Sequence, residues 1–237
     1  MPKHLCFLLL ALFPMLLTSA FGEEPLKIGT LKAERILFLG NSITLHAPAP
    51  QIGWNGNWGM AASAPEKDFV HLLIAKVAKE TGKQPEVKVK NIAEFERQLG
   101  DFNFAEQLKE ELHFQPDVIV LAIGENSVTP SNDVERTKFS VGLDGLLSEL
   151  KRNGQPTIFV RSQFWPDQEK DQLLKQATEK AKLVWVDMEK LGADPLNAAS
   201  AEREFQHAGV AGHPGDKGMA AIADKIWQAI IETSRTK

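Results

Sequence analysis

Short β-branched runs alternating with longer segments of helical period predict an α/β chain, a three-layer α/β/α sandwich built on a five-stranded parallel sheet. Three observations carry this. Five such runs recur along the sequence, apolar stripes at helical spacing lie between them, and about 215 residues follow an apolar N-terminus, a length that fills one core rather than two. Strand, helix, strand repetition calls for parallel pairing, with helices on both faces of the sheet.

Taken in order, the chain opens with MPKHLCFLLLALFPMLLTSAFGEEP, one lysine before an apolar stretch from Leu5 to Leu17 and then the small residues Thr18, Ser19, Ala20 and Gly22. That pattern reads as a cleavable signal peptide over residues 1–22, leaving one domain over 23–237 that is secreted or periplasmic. The apolar run is shorter than the roughly 20 residues a spanning helix needs, so no membrane association is expected beyond the leader. The only cysteine, Cys6, would leave with the peptide, and no disulfide or thiol chemistry is expected in what remains.

Arg35–Gly40, Glu86–Asn91, Asp117–Gly124, Thr157–Arg161 and Leu183–Asp187 are the predicted strands. Phe69, Leu73 and Val77 mark one helical stripe, and Phe104, Leu108 and Leu112 a second. Phe139, Leu143, Leu146 and Leu150 mark a third, and Met219, Ile222, Ile226 and Ile230 the last. Net charge is −4, becoming −5 once Lys3 departs with the leader, and no block of Lys or Arg forms a basic face, so nucleic acid is not an expected partner.

Ligands of such sheets bind in the crevice outside the carboxyl ends of the strands, so functional residues should follow strand ends. The first strand runs into Asn41-Ser42-Ile43-Thr44, the third into Glu125-Asn126-Ser127, and the fourth into Ser162-Gln163-Phe164-Trp165. The segment from Ala47 to Pro65 is the one long irregular connection; it holds Trp54 and Trp58, and its length points to a functional loop.

A serine at a strand-to-helix corner can present its hydroxyl where free backbone N–H groups meet a developing negative charge, but serine needs a base within hydrogen-bond reach. Of the six histidines, His4 lies in the leader, while His71 and His113 fall in predicted helices. His46, His207 and His213 fall in loops. His213 has the strongest context, because Pro214 suits the first turn of the last helix and leaves the imidazole free to face the crevice.

These residues carry a resemblance. Gly40-Asn41-Ser42-Ile43-Thr44 resembles the first block of the SGNH (GDSL-like) hydrolases, usually Gly-Asp-Ser; Gly124-Glu125-Asn126 resembles the third, Gly-x-Asn; and His213-Pro214 with the following Gly215 resembles the last. The blocks keep order and spacing from Ile36 to about Ile226. The resemblance implies the flavodoxin-like SGNH hydrolase fold and an esterase; no cofactor is expected, and no cysteine or tight His-x-x-x-His spacing supports a metal at His207, His213 and Asp216. It also implies Ser42 as nucleophile, His213 as base, and Asn126 with the Ser42 N–H as oxyanion donors.

Two positions depart from that pattern. The family usually has an Asp three residues before the histidine, where this chain has Val210. A backbone carbonyl holding the imidazole, or a carboxylate from Glu94, Glu96 or Glu125, are the alternatives. The second-block glycine has no match either, and a backbone N–H near Ala93 is the candidate to replace it as oxyanion donor.

The same glutamates also permit a rival, the carboxylate pair of a glycoside hydrolase. A catalytically weak carbohydrate-binding domain is the other alternative. For substrate, His46, Trp54, Trp58, Gln163, Phe164, Trp165 and His207 lie in loops expected at the strand-end edge, where indoles stack on sugar rings and amides read hydroxyls. The expectation is therefore an acylated carbohydrate or another small ester. Each ring has a plainer alternative, that of covering the core beneath a loop.

Overall fold

The computed structural model describes residues 24–152 and 154–236. The signal-peptide reading of residues 1–22 lies outside them. A short antiparallel hairpin, β1 (Lys27–Ile28) with β2 (Leu31–Lys32), precedes the main sheet and has no counterpart among the predicted strands. Two-residue strands are too short to show a period.

The five predicted strands form β3 (Arg35–Gly40), β4 (Glu86–Asn91), β5 (Val118–Ala122), β6 (Thr157–Arg161) and β7 (Val184–Val186). They pair only in parallel, in the order β4-β3-β5-β6-β7. β5 reads Val-Ile-Val-Leu-Ala and is buried throughout, as a central strand covered on both faces should be. Edge strand β4 carries Lys88 and Lys90, the charged side chains that keep an open edge from pairing further.

Alternate strand residues point into two cores. Ile36, Phe38, Val118, Val120 and Phe159 pack against α1 (Phe69–Thr81) and α8 (Asp216–Arg235). Leu37, Leu39, Ile119, Leu121, Ile158 and Val160 pack on the other face, against residues of α2 (Ala93–Gln98), α5 (Asp133–Arg152) and α6 (Gln168–Lys180). This is the expected three-layer sandwich. The predicted stripe through Phe104, Leu108 and Leu112 is two short helices, α3 (Phe104–Gln107) and α4 (Lys109–His113), because Leu108 leaves helical geometry at φ −114°, ψ 13°. A last short helix, α7 (Ala208–Ala211), precedes α8. Among the described residues, no helix is long and apolar enough to cross a membrane.

In this strand order the chain steps outward from β3 to β4 and then crosses back over β3 to β5. The carboxyl ends of β3 and β5 therefore flank the point where winding reverses, which is where open α/β sheets form their crevice. Ser42 follows the first of those ends, and Glu125 and Asn126 follow the second.

Candidate active site

β3 ends at Gly40 because the chain turns against its neighbours there. A Cβ at that position would collide with the Thr44 side chain and stand 2.7 Å from the Ala122 carbonyl. The turn that follows is closed by Asn41. Its side-chain oxygen accepts from the Ile43 N–H at 3.1 Å, and its carbonyl accepts from Thr44 and Leu45 at 2.9 and 3.0 Å. Ser42 sits in this turn, and among the described residues its N–H donates no hydrogen bond. That leaves a main-chain donor free beside the hydroxyl.

His213 is held from below. The Ala199 N–H donates to its carbonyl at 2.8 Å, and Glu202 accepts the first N–H groups of α8, from Asp216 and Lys217, both at 2.8 Å. α8 begins at Asp216, two residues beyond Pro214, with Gly215 as its N-cap. The imidazole Nε2 lies 2.8 Å from Ser42 Oγ, and Nδ1 lies 2.6 Å from the Gly209 carbonyl. A carbonyl oxygen only accepts, so Nδ1 carries the proton and Nε2 is left as the acceptor for the Ser42 hydroxyl. The edge of Trp165 packs on the ring at 5.2 Å between centroids and 89° between planes, while its indole N–H donates to the Gly212 carbonyl at 3.2 Å. Burial lowers the His213 pKa from the ordinary 6.5, and nearby His46 adds to this, against the Gly209 hydrogen bond and the charge of Glu125. The ring is thus neutral at neutral pH, the state a base requires.

None of Glu94, Glu96 and Glu125 makes a hydrogen bond to His213, so the structure places the carbonyl, not a carboxylate, behind the imidazole. Glu94 is exposed on α2 and accepts from Gln98 at 2.8 Å. The other two glutamates are buried together behind the serine turn. Asn41 Nδ2 donates to both, to Glu96 Oε1 at 2.9 Å and to Glu125 Oε2 at 2.6 Å. Asn41 thus donates to both glutamates where an Asp, the usual residue of the SGNH block this turn resembles, would place a third carboxylate between them.

Glu125 Oε1 also accepts from Arg161 at 2.7 Å and from the Phe164 N–H at 3.0 Å. Burial alone would raise its pKa, but the guanidinium and these hydrogen bonds outweigh burial and hold it below the ordinary value. Among the described residues, no cation pairs with Glu96. Burial, reinforced by the charge of Glu125, pushes its pKa up to about 7 despite hydrogen bonds from Asn126 and Asn41. Glu96 Oε2 accepts from both the backbone N–H and the Nδ2 of Asn126, at 2.5 and 3.0 Å.

Asn126 follows Gly124, whose φ of +116° favours glycine, and Arg97 donates to its side-chain oxygen at 3.3 Å. One amide proton of Asn126 is thereby spent on Glu96, and the second is available to an oxyanion. The Ala93 N–H is not free in this way. Asn91, at the end of β4, turns its side chain back to accept it at 2.9 Å. Ala93 lines the site, but its expected donor is already engaged.

Ser42, Asn126, His213, His46, Ala93 and His207 share a cleft of ≈ 560 Å³ with Ile52, Met60, Asn91, Arg97, Gly209 and Val210. A larger depression, ≈ 640 Å³, is bordered by Glu24, Leu26, Glu34, Arg35, Lys83, Gln84 and Glu86 at the opposite end of the sheet and holds no serine or histidine. Neither Glu96 nor Glu125 reaches the cleft lining, so the pair a glycosidase needs does not face it.

The expected sugar-stacking rings lie mostly elsewhere. Trp54 is buried in a satellite core with Ala49, Met60, Ala61, Ala199 and Val210, and it donates to the His46 carbonyl at 3.0 Å. Trp58 is half-buried edge-to-face against Trp54, with its N–H on the Ala62 carbonyl. Phe164 is core, and buried Gln163 is tied to Asp171 through its backbone N–H at 2.9 Å. The long loop thus folds by burying its own aromatic rings, leaving too little exposed ring for a stacking platform. Asn91, Arg97 and the Gly209 carbonyl were not picked out from the sequence. Asn91 closes a predicted strand and was open to the strand-end rule, whereas a main-chain carbonyl leaves no trace in residue type.

No family model matches the chain, and no curated protein matches it. Solved structures do. A two-domain esterase active on acetylated mannans, crystallised with mannopentaose, aligns with a TM-score of 0.58 at 18% identity, over 86% of this chain and 50% of its own, so this chain spans half the length of that enzyme. A lipase/acylhydrolase from Enterococcus faecalis aligns at 0.54 and 16% identity, over 84% of this chain and 96% of its own. A lipase from a goat rumen metagenome aligns at 0.52 and 14%, over 82% and 96%. The chain has the SGNH (GDSL-like) hydrolase fold that these esterases and lipases share.

Proposed function

We propose that the protein is an exported carboxylic ester hydrolase that removes acetyl or other short acyl groups from a carbohydrate. The observation that carries this reading is the 2.8 Å contact between Ser42 Oγ and His213 Nε2, with Nδ1 tied to Gly209. In the proposed reaction, His213 takes the Ser42 proton as Oγ attacks the ester carbonyl. The tetrahedral oxyanion is met by the Ser42 N–H and the free Asn126 amide proton. His213 then gives its proton to the departing alcohol, and water repeats the sequence in reverse to release the acid.

A carbohydrate ester is favoured over a lipid because Asn91, Arg97, Asn126 and three histidines line the cleft against only a few apolar side chains. An esterase active on acetylated mannans with the same fold supports that choice. Export rests on the leader read over residues 1–22. The test is acetate release from a panel of acetylated polysaccharides, with Asn126→Ala beside the wild type. Loss of one oxyanion donor should lower turnover by roughly 10²–10³, and an Asn126→Ala protein as fast as wild type would remove Asn126 from the mechanism.

A further inference from the structure

The chain is acidic overall, at −4, yet the cleft lining holds one arginine, three histidines and neither Asp nor Glu. Arg136, Arg152, Arg161 and Arg203 each pair with a carboxylate. Arg97 does not. Among the described residues its one hydrogen bond goes to a neutral acceptor, Asn126 Oδ1 at 3.3 Å, and its side chain lies on the exposed side of α2 at the mouth of the cleft. A guanidinium carries five N–H donors in a planar fork matched to a carboxylate, and here most of the fork is unspent. Across the cleft, His207 Nδ1 accepts from the Gly209 N–H at 3.1 Å, so in the neutral ring the proton sits on Nε2 and supplies a further donor.

We propose that Arg97 forms an anion subsite beside the oxyanion donors, and that the preferred substrate carries a carboxylate close to the ester Ser42 attacks. This rests on the esterase reading and narrows it to acidic esters. The carboxylate belongs either to a uronate ring of the polysaccharide or to the acyl chain itself. Because Arg97 touches the residue that would hold the oxyanion, an anion bound there lies on the substituent next to the scissile ester. It is held through charge-assisted hydrogen bonds, which salt weakens.

The experiment compares kcat/KM for matched acidic and neutral esters: acetylated polygalacturonate against its carboxyl-reduced form, and p-nitrophenyl hemisuccinate against p-nitrophenyl acetate. The wild type should favour the acidic member of at least one pair by about tenfold, equivalent to ~1.4 kcal/mol. The first pair reports a ring carboxylate and the second an acyl carboxylate. Arg97→Gln should abolish the ratio and Arg97→Lys should keep part of it. Equal rates on both members of both pairs, or a ratio that Arg97→Gln leaves intact, would overturn the subsite while leaving the esterase standing. Failure to hydrolyse any of the four, neutral acetates included, would overturn the esterase reading and the subsite with it.

Discussion

The Gly209 carbonyl accepts the Nδ1 proton of His213 at 2.6 Å, in the position where a catalytic triad would put a carboxylate. The carbonyl fixes the ring and its tautomer as a carboxylate would, but brings no full charge to stabilise the imidazolium. The Gly209 hydrogen bond and the more distant charge of Glu125 therefore only partly offset burial, and the His213 pKa stays lowered.

The acid limb of the pH profile follows from this. A histidine whose pKa is lowered in the folded state is the neutral base over a wider range than usual. With p-nitrophenyl acetate, kcat/KM should stay flat through pH 6.5 and fall only below it. A limb centred above 6.5 would mean that another group governs the rate.

Val210 stands where the SGNH pattern has its acid, and it is buried in the apolar cluster with Trp54, Met60, Ala61 and Ala199 at the edge of the cleft. Val210→Asp should therefore fail to build a triad. It places a carboxylate in an apolar cluster, at a cost of at least ~2 kcal/mol. Thermal melting should show a drop of several degrees, and kcat/KM should not rise.

Glu96 links stability to Asn126, the proposed oxyanion donor. Its folded-state pKa of about 7 lies above the ordinary 4.5, so folding favours its protonated form. That contribution is complete below about pH 4.5 and is lost as pH rises to about 7. Glu96→Gln should flatten the fall in unfolding free energy across this window, a fall on the order of a few kcal/mol. The same variant loosens Asn126 and should lower kcat more than it alters KM, by up to about 10²-fold for an ångström of displacement. Urea unfolding at several pH values, together with steady-state kinetics, reads both effects.

Arg161 is fully buried, and its salt bridge to Glu125 at 2.7 Å supplies, among the described residues, the only cation paired with the two glutamates. Arg161→Met leaves Glu125 buried and uncompensated, which should cost about 3–5 kcal/mol. Adding Glu125→Gln should recover part of that loss, and a double variant no more stable than the single one would show that the pair is not the source.

Much of this fold was legible because its strands are short, β-branched and bounded by turn residues. β3, β4 and β6 begin and end where the pattern places them, and β5 stops at Ala122, short of Gly124 and its positive φ. α6 shows no clear stripe because only Leu174 and Ala177 of its apolar residues are buried, and α2 reads as a continuation of the strand before it. In the candidate site, Ser42, Asn126 and His213, singled out because the proposed chemistry needs particular side chains after particular strands, do share one cleft. A main-chain carbonyl was among the alternatives for holding His213, but the sequence could not say which one, because Gly209 is brought near only by the fold of α7. The tryptophans misled for a related reason. Composition marks a loop as rich in rings, but whether those rings cover a core or face solvent depends on tertiary packing.

Labelling with a fluorophosphonate probe tests the central claim most directly, since it asks whether Ser42 is an activated nucleophile without presuming a substrate. The account predicts a stoichiometric adduct located by mass spectrometry on Ser42, absent from Ser42→Ala and strongly slowed in His213→Ala. No adduct, or an adduct on another serine that Ser42→Ala leaves unchanged, would contradict it.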